Sequence, residues 1–355
     1  LINEPALTTP GCCQEGARQA TITRRSLLKA LGIGAAVASV SPMMNMRAAF
    51  AADAGWTGDT IVILSLRGGF DGLSAVAPIG DPDYATNRPS IAVPSAKAIQ
   101  LDSMFGMHPS LSSLQPFWAS GNLAFVHAAG LPAPNRSHFS AMDELERAAP
   151  GTSARTGWLD RTIGLHTAGG PFGAIQLGST DIPESLAGPW PVLGMSSIDS
   201  FSLSSAGDAT SRARWATALN AFHNHAPAGL ADTAATTLSA LDTAATLAAG
   251  TYTPGNGATY PNSDLGKALS DSAQLIKANV GTRVITIDQG DWDMHSGLGR
   301  VDYGWMHDNL NNLGDALAAF ATDLGTAMNS VTLVTISEFG RRVQENESGG
   351  VDHGW

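Results

Sequence analysis

The chain has 355 residues, 43% of them hydrophobic and 14% charged, with 20 Lys+Arg against 31 Asp+Glu and a net charge of −11. That length suits one large domain or two modest ones, and the apolar fraction supplies a sizeable core, so global disorder is excluded. The acidic balance leaves no basic stripe to neutralise phosphates, which argues against a nucleic-acid partner.

The first 51 residues read as an address. Arg24-Arg25-Ser26-Leu27-Leu28-Lys29 opens an uncharged stretch that runs to Met46, and Ala49-Phe50-Ala51 supplies a small-residue cleavage site. This is the pattern of a twin-arginine signal peptide. The expected partner during export is the twin-arginine translocase, and the expected location is periplasmic or secreted. Cutting after Ala51 removes five basic residues (Arg18, Arg24, Arg25, Lys29, Arg47) and two acidic ones (Glu4, Glu15), leaving 15 and 29 and a net charge of −14. Cys12 and Cys13 go with the leader, so no disulfide is expected in the mature protein. No run is long enough for a membrane span after cleavage.

Residues 52–355 read as one α/β domain. Three short runs are apolar at nearly every position: 60–66 (TIVILSL), 283–287 (RVITI) and 331–336 (VTLVTI). Such runs suit strands buried on both faces of a parallel sheet. Weaker strand candidates are 123–127 and 174–177. Helical patterns cover 109–119, 140–148, 211–223, 231–248, 264–278 and 303–328. Their alternation with strands predicts a mostly parallel sheet with helices on both faces. Ala, Thr and Ser dominate 205–250, which reads as an inserted helical hairpin. The abrupt stop at Gly354-Trp355 suggests a fragment lacking its C-terminal portion.

Ligands of open α/β sheets sit at the carboxyl ends of the strands. Each strong strand here runs into a polar loop: Arg67-Gly68-Gly69-Phe70-Asp71 after the first, Asp288 to His295 after the second, and Ser337-Glu338 after the third. Asp293 and His295, two apart, share one face of an extended segment and suit a common ion. Glu338 follows a buried strand, where a charge needs a partner or a metal; a salt bridge to Arg341 or Arg342 is the plainer alternative. For Asp71 the plainer alternative is a turn aspartate capping its own loop. Asp352-His353 lies between glycines. Together Asp71, Asp293, His295, Glu338, Asp352 and His353 offer mixed oxygen and nitrogen ligands for one or two divalent ions, with zinc, manganese, magnesium and calcium all open. Ser137 stands before a helical pattern, either as an ordinary N-cap or as a nucleophile beside a bound anion, with Arg136 to hold the anion's oxygens.

The motifs GGFDGL (68–73), Tyr84…Arg88-Pro89, MHPSL (107–111), NRSHFSAMD (135–143), TGWLDR (156–161), DWDMH (291–295), SEFGR (337–341) and GGVDHG (349–354) resemble, in order, the bacterial domain-of-unknown-function family 1501. The resemblance implies an alkaline-phosphatase-like fold related to the phosphatase–sulfatase superfamily, whose members carry a metal-rich site at the strand ends. It matches Asp71, Ser137, Asp293 with His295, Glu338 and His353 to that superfamily's order of acids, nucleophile and closing histidine. Phe339 stands where a histidine is usual, and the mid-chain spacing is narrower than in phosphatases. The expectation is an exported metal-dependent hydrolase of phosphate or sulfate esters using Ser137 as nucleophile, with a small anionic ester or polysaccharide as substrate. The rival is a catalytically degenerate member that binds cell-surface glycan or a partner protein.

Overall fold

The computed structural model describes residues 56–165, 170–203, 208–223 and 225–354. Residues 1–51, expected to be a signal peptide, therefore lie outside the described residues. In chain order the strands are β1 (Thr60–Leu66), β2 (Val76–Ala77), β3 (Ile99–Gln100), β4 (Gly106–Met107), β5 (Ala174–Leu177), β6 (Leu193–Met195), β7 (Val284–Gln289), β8 (Val331–Ile336), β9 (Arg341–Glu345) and β10 (Val351–His353). Five of them build the central sheet in the order β6-β5-β7-β1-β8, and every pair is parallel. A small β2-β4-β3 sheet and the β9-β10 hairpin stand apart from it. This is a helix-covered parallel α/β architecture, consistent with an alkaline-phosphatase-like fold.

The period-2 alternation of the strands sorts the core. Val62 and Leu64 of β1 align with Ile285 and Ile287 of β7, and these with Ile175 and Leu177 of β5, in rows on one face. Helices Asp264–Ala278 and Trp305–Leu324 cover that face with Leu265, Leu269, Leu310, Leu313 and Phe320. On the opposite face Ile63, Ala174 and Val284 meet Leu159, Ile163 and Leu186. Each fully buried aliphatic side chain contributes about 1.5–3 kcal/mol, so the two faces anchor the sheet without any disulfide.

Helix boundaries follow local chemistry. Ser263 accepts from the Gly266 amide at 3.1 Å to start Asp264–Ala278, and Asn279 ends it in the left-handed region at φ 49°. The expected helix 303–328 closes at Leu324, because Gly325 turns to φ 53°, and continues as a 3₁₀ segment. The expected helix 109–119 is a 3₁₀ segment, Pro109–Leu114, followed by a short α-helix, Gln115–Ala119. Within 205–250, helices Ala209–His223 and Ala228–Ala248 pack on each other, as a hairpin would.

Three expectations need correction. Residues 123–127 are irregular: Leu123 and Phe125 pack on the core, Val126 is exposed, and no ladder forms. The short strand β6 was unforeseen. β8 is the sheet edge and not a doubly buried strand, with Thr332, Val334 and Thr335 exposed. No helix among the described residues is long and apolar enough to cross a membrane.

His108, from the MHPSL motif, is buried and caps Pro109–Leu114 by accepting from the Ser110 amide at 3.1 Å. Burial first, and then His307, depresses its pKa to about 4. Its unfolded counterpart titrates near 6.5, so between these values only the unfolded chain takes up the proton, and stability falls as pH falls. Going from pH 7 to pH 5 should cost about 2 kcal/mol through this residue. Urea unfolding at the two pH values should show that loss in the parent and not in His108→Asn; an equal pH dependence in both would refute it.

Candidate metal centre

β7, β1 and β8, the three strands legible from sequence, are neighbours, and their carboxyl-end loops meet. Gly68, at φ 117°, lets the loop after β1 run against the loop after β7: a Cβ there would lie 2.5 Å from the Asp293 amide nitrogen. The buried Arg341 side chain locks this junction. Its guanidinium donates to the carbonyls of Gly69, Gly68, Val351 (2.9 Å) and Trp292 (3.3 Å), and to Asp293 Oδ1 at 2.6 Å.

On this platform three imidazoles converge. His353 Nε2 lies 2.9 Å from His138 Nε2 and 2.8 Å from His295 Nε2. Asp293 Oδ1 is 3.0 Å from His295 Nε2 and 3.4 Å from His353 Nε2, and Oδ2 is 3.6 Å from His138 Nε2. The ligand atoms of His138, Asp293 and His353 all lie within 4.8 Å of one another.

The other ring nitrogens decide what these contacts are. His138 Nδ1 meets Glu338 Oε1 at 2.7 Å, His353 Nδ1 donates to the Arg136 carbonyl at 2.9 Å, and His295 Nδ1 faces Asp352 Oδ1 at 3.4 Å. A carboxylate or carbonyl can only accept, so ring hydrogens on Nδ1 serve the acceptors behind His138 and His353. His295 instead faces a carboxylate through each nitrogen, Asp293 at 3.0 Å from Nε2 and Asp352 at 3.4 Å from Nδ1. The Nε2 atoms of His138 and His353 then face one another beside the Asp293 carboxylate, and His295 Nε2 flanks His353. Imidazole nitrogens this close are joined either by a shared ring hydrogen or by a cation between them. An acceptor behind each Nδ1 is also how metal-binding histidines are oriented.

The residues fit a divalent ion. Tetrahedral ligands at zinc-like bond lengths are about 3.3 Å apart, so His353 Nε2 needs to draw away from each of its two imidazole neighbours by about half an ångström. Three nitrogens and one oxygen suit zinc, manganese or iron better than magnesium or calcium. His295 and Asp293 are exposed and His138 and His353 half-buried, so one side of the cluster opens to solvent.

Electrostatics keep the carboxylates ionised. Burial alone would raise Asp293, but the hydrogen bond and charge of Arg341, with His295 and His138, hold it below the usual range. Burial likewise opposes ionisation of Glu338, and the hydrogen bonds from His138 and the Gly68 and Gly69 amides outweigh it.

The sequence-predicted residues divide into groups. Asp293, His295 and His353 lie together in the cluster. Glu338 and Asp352 stand behind it, facing the Nδ1 atoms of His138 and His295; Glu338 Oε1 also accepts from the Gly68 amide, while Oε2 shares the Ser337 hydroxyl with the Leu66 carbonyl. Glu338 makes no bridge to Arg341, which pairs with Asp293. Asp71 is not brought to the cluster. It is buried against Arg88, whose Nη1 and Nη2 reach its two oxygens at 2.5 and 2.9 Å, and Ser74 Oγ donates at 2.6 Å. Arg88 also donates to the Arg342 and Val343 carbonyls, so this pair fastens β9 to the body. Asp71→Asn should therefore lower stability by about 3–5 kcal/mol yet leave bound metal per folded chain unchanged. Loss of the metal in folded Asp71→Asn would restore the ligand role.

Ser137 is exposed at the N-cap of helix His138–Arg147, where its side chain makes no capping bond. Its amide donates to Asn135 Oδ1 at 3.1 Å. The Arg136 side chain is exposed and reaches the Gly354 carbonyl at 3.4 Å.

His138 is the cluster member that the sequence reading passed over. It shares the inner helix face with Met142 and Glu146, at i, i+4 and i+8. Buried Glu146 accepts from Arg67 at 2.8 Å and so pins this helix to the end of β1. Extending that periodicity back from Met142 would have pointed His138 at the sheet end.

Residues 59–355 match the family described as "Protein of unknown function (DUF1501)". The chain belongs to this family. No curated protein and no solved structure matches it.

Proposed function

We propose that this DUF1501 protein is a hydrolase of phosphate or sulfate esters that depends on one divalent ion held by His138, Asp293, His295 and His353. The observation that carries the reading is His353 Nε2 in contact with the Nε2 atoms of both His138 and His295 beside Asp293, with an acceptor behind each Nδ1. Such an ion supplies Lewis acidity toward a substrate oxygen. Among the chain's own groups, Arg341 holds Asp293 in place and Glu338 fixes the His138 ring. Ser137, one residue from His138 and with its hydroxyl uncommitted to capping, is the proposed nucleophile. The positive end of the ten-residue helix behind it favours an ester's anionic oxygens. Arg136 is the proposed clamp on those oxygens.

A relation to the phosphatase–sulfatase superfamily is part of the proposal, supported by the parallel sheet and by the order of the site residues. The engagement of Asp71 by Arg88 argues for one ion in place of two. Twin-arginine export to the periplasm or beyond is proposed on residues 23–51 alone. The second reading, a degenerate member with a structural ion and a binding role, draws its support from the same loss of Asp71 as a ligand.

The test is turnover of aryl phosphate and aryl sulfate esters by the zinc- and manganese-loaded chain, compared with Ser137→Ala. Hydrolysis that falls by about a thousandfold or more in Ser137→Ala, with metal retained, is expected for an abolished nucleophile. Metal without turnover shifts the reading to binding. A folded protein that takes up no metal ends both.

A further inference from the structure

A cavity of about 630 Å³ lies along helix Asp264–Ala278, away from the histidine cluster, between that helix and segment 248–260. It is within the size range of small-molecule sites. Its walls differ in chemistry from those of the cluster.

One wall is aromatic and immobilised. Tyr252 and Tyr260 both donate their hydroxyls to Asp323 Oδ2, at 2.7 and 2.8 Å. Asp323 is itself buried and held by Lys277 and by the Gly255 amide at 2.5 Å. With the hydroxyls committed to Asp323, what the two tyrosines contribute to the lining is ring carbon; Lys277 stands over the Tyr252 ring at 5.4 Å, and Tyr260 also packs on the core. The other wall is polar. Lys267 bridges Asp199 at 2.7 Å and Asp271 at 2.8 Å, and Gln274 stands one turn further along the helix. Exposed Thr251 and Thr259 add hydroxyls at the rim.

Charge selects the ligand class. The Lys267 triad carries one positive and two negative groups, so an anionic ligand is repelled and a phosphate or sulfate headgroup is excluded. The triad is internally paired, with Asp271 also accepting from the Ile198 amide, but a purely apolar ligand would desolvate the exposed Lys267 and Asp199 charges. What satisfies both walls is a neutral molecule with a C–H face for the rings and adjacent hydroxyls for the carboxylates, the lysine and the amide. We infer that this cavity is a carbohydrate-binding site for a neutral disaccharide or the end of a glycan chain. The inference is independent of the hydrolase reading, because no residue is shared with the histidine cluster.

The test is saturation-transfer NMR on the full chain with maltose, cellobiose and chitobiose, each at millimolar concentration. Two variants block the cavity: Ser270→Trp from the helix and Thr259→Arg from the exposed rim. Circular dichroism serves as the folding control, so a variant that fails to fold is replaced by the other. Transfer to at least one disaccharide, weakened tenfold or more in a folded blocking variant, is the expected result. No transfer to any of the three with the folded parent chain would overturn the inference, and so would transfer unchanged in the blocked variants.

Discussion

Replacing His138 by alanine is expected to strip the chain of its divalent ion. His138 supplies one of three converging nitrogens, and its removal leaves His353 Nε2 with a single imidazole neighbour, His295, at 2.8 Å. Losing an inner ligand should weaken the ion by more than about a hundredfold, beyond the 10–100-fold typical when an outer partner is lost. Glu338→Gln provides that smaller step: it keeps an acceptor for His138 Nδ1 and the shape of the side chain but removes the charge. The graded order, parent tighter than Glu338→Gln and that tighter than His138→Ala, can be read by competition with a chromophoric chelator. Metal per chain after gel filtration gives the same order. His138 is only partly buried, so His138→Ala should keep its fold, and circular dichroism would show that. A His138→Ala chain that retains a stoichiometric ion would remove His138 from the ligand set and with it the proposed centre.

What could be read from sequence followed from how local the cause was. β1, β7 and β8 announced themselves because consecutive β-branched and aliphatic residues have few alternatives to a strand in a covered sheet. The loops after them were legible because polar residues directly after such strands have one place to go. Arg88 holding Asp71 was not legible: the partners are 17 residues apart, and nothing in a glycine-rich turn says which cation will fold back onto it. The same holds for Arg341, 48 residues from Asp293. Both aspartates looked equally available in sequence, and a buried guanidinium claims both oxygens of one and one oxygen of the other. The exposure of β8 was hidden for a related reason. A run of apolar residues cannot declare whether a neighbour lies on both sides, and Val334 and its neighbours sit at the sheet's edge.

Arg341→Met should be the most destabilising single change around the site. The methionine fills much of the same volume but donates nothing, so the carbonyls of Gly68, Gly69, Val351 and Trp292 lose a common donor and Asp293 loses its counter-ion. Because the Arg341 side chain is fully buried, water replaces these bonds poorly, and the loss should be about 3–5 kcal/mol. Arg341→Lys should recover only part of it, since three donors on a flexible stem cannot span a set arranged for a planar fork. Position matters as well as stability. Asp293 Oδ1 is fixed by Nη2, and without it the carboxylate can swing away from the three Nε2 atoms, so the folded fraction of Arg341→Met should also bind its ion more weakly. Chemical denaturation gives the first quantity and chelator competition below the unfolding transition gives the second. The two readouts separate a residue that merely packs from one that also sets the geometry of the centre. Unchanged metal affinity in a destabilised Arg341→Met would confine Arg341 to the first role. An unchanged denaturation midpoint would mean that the loops after β1 and β7 are held together by something other than this guanidinium.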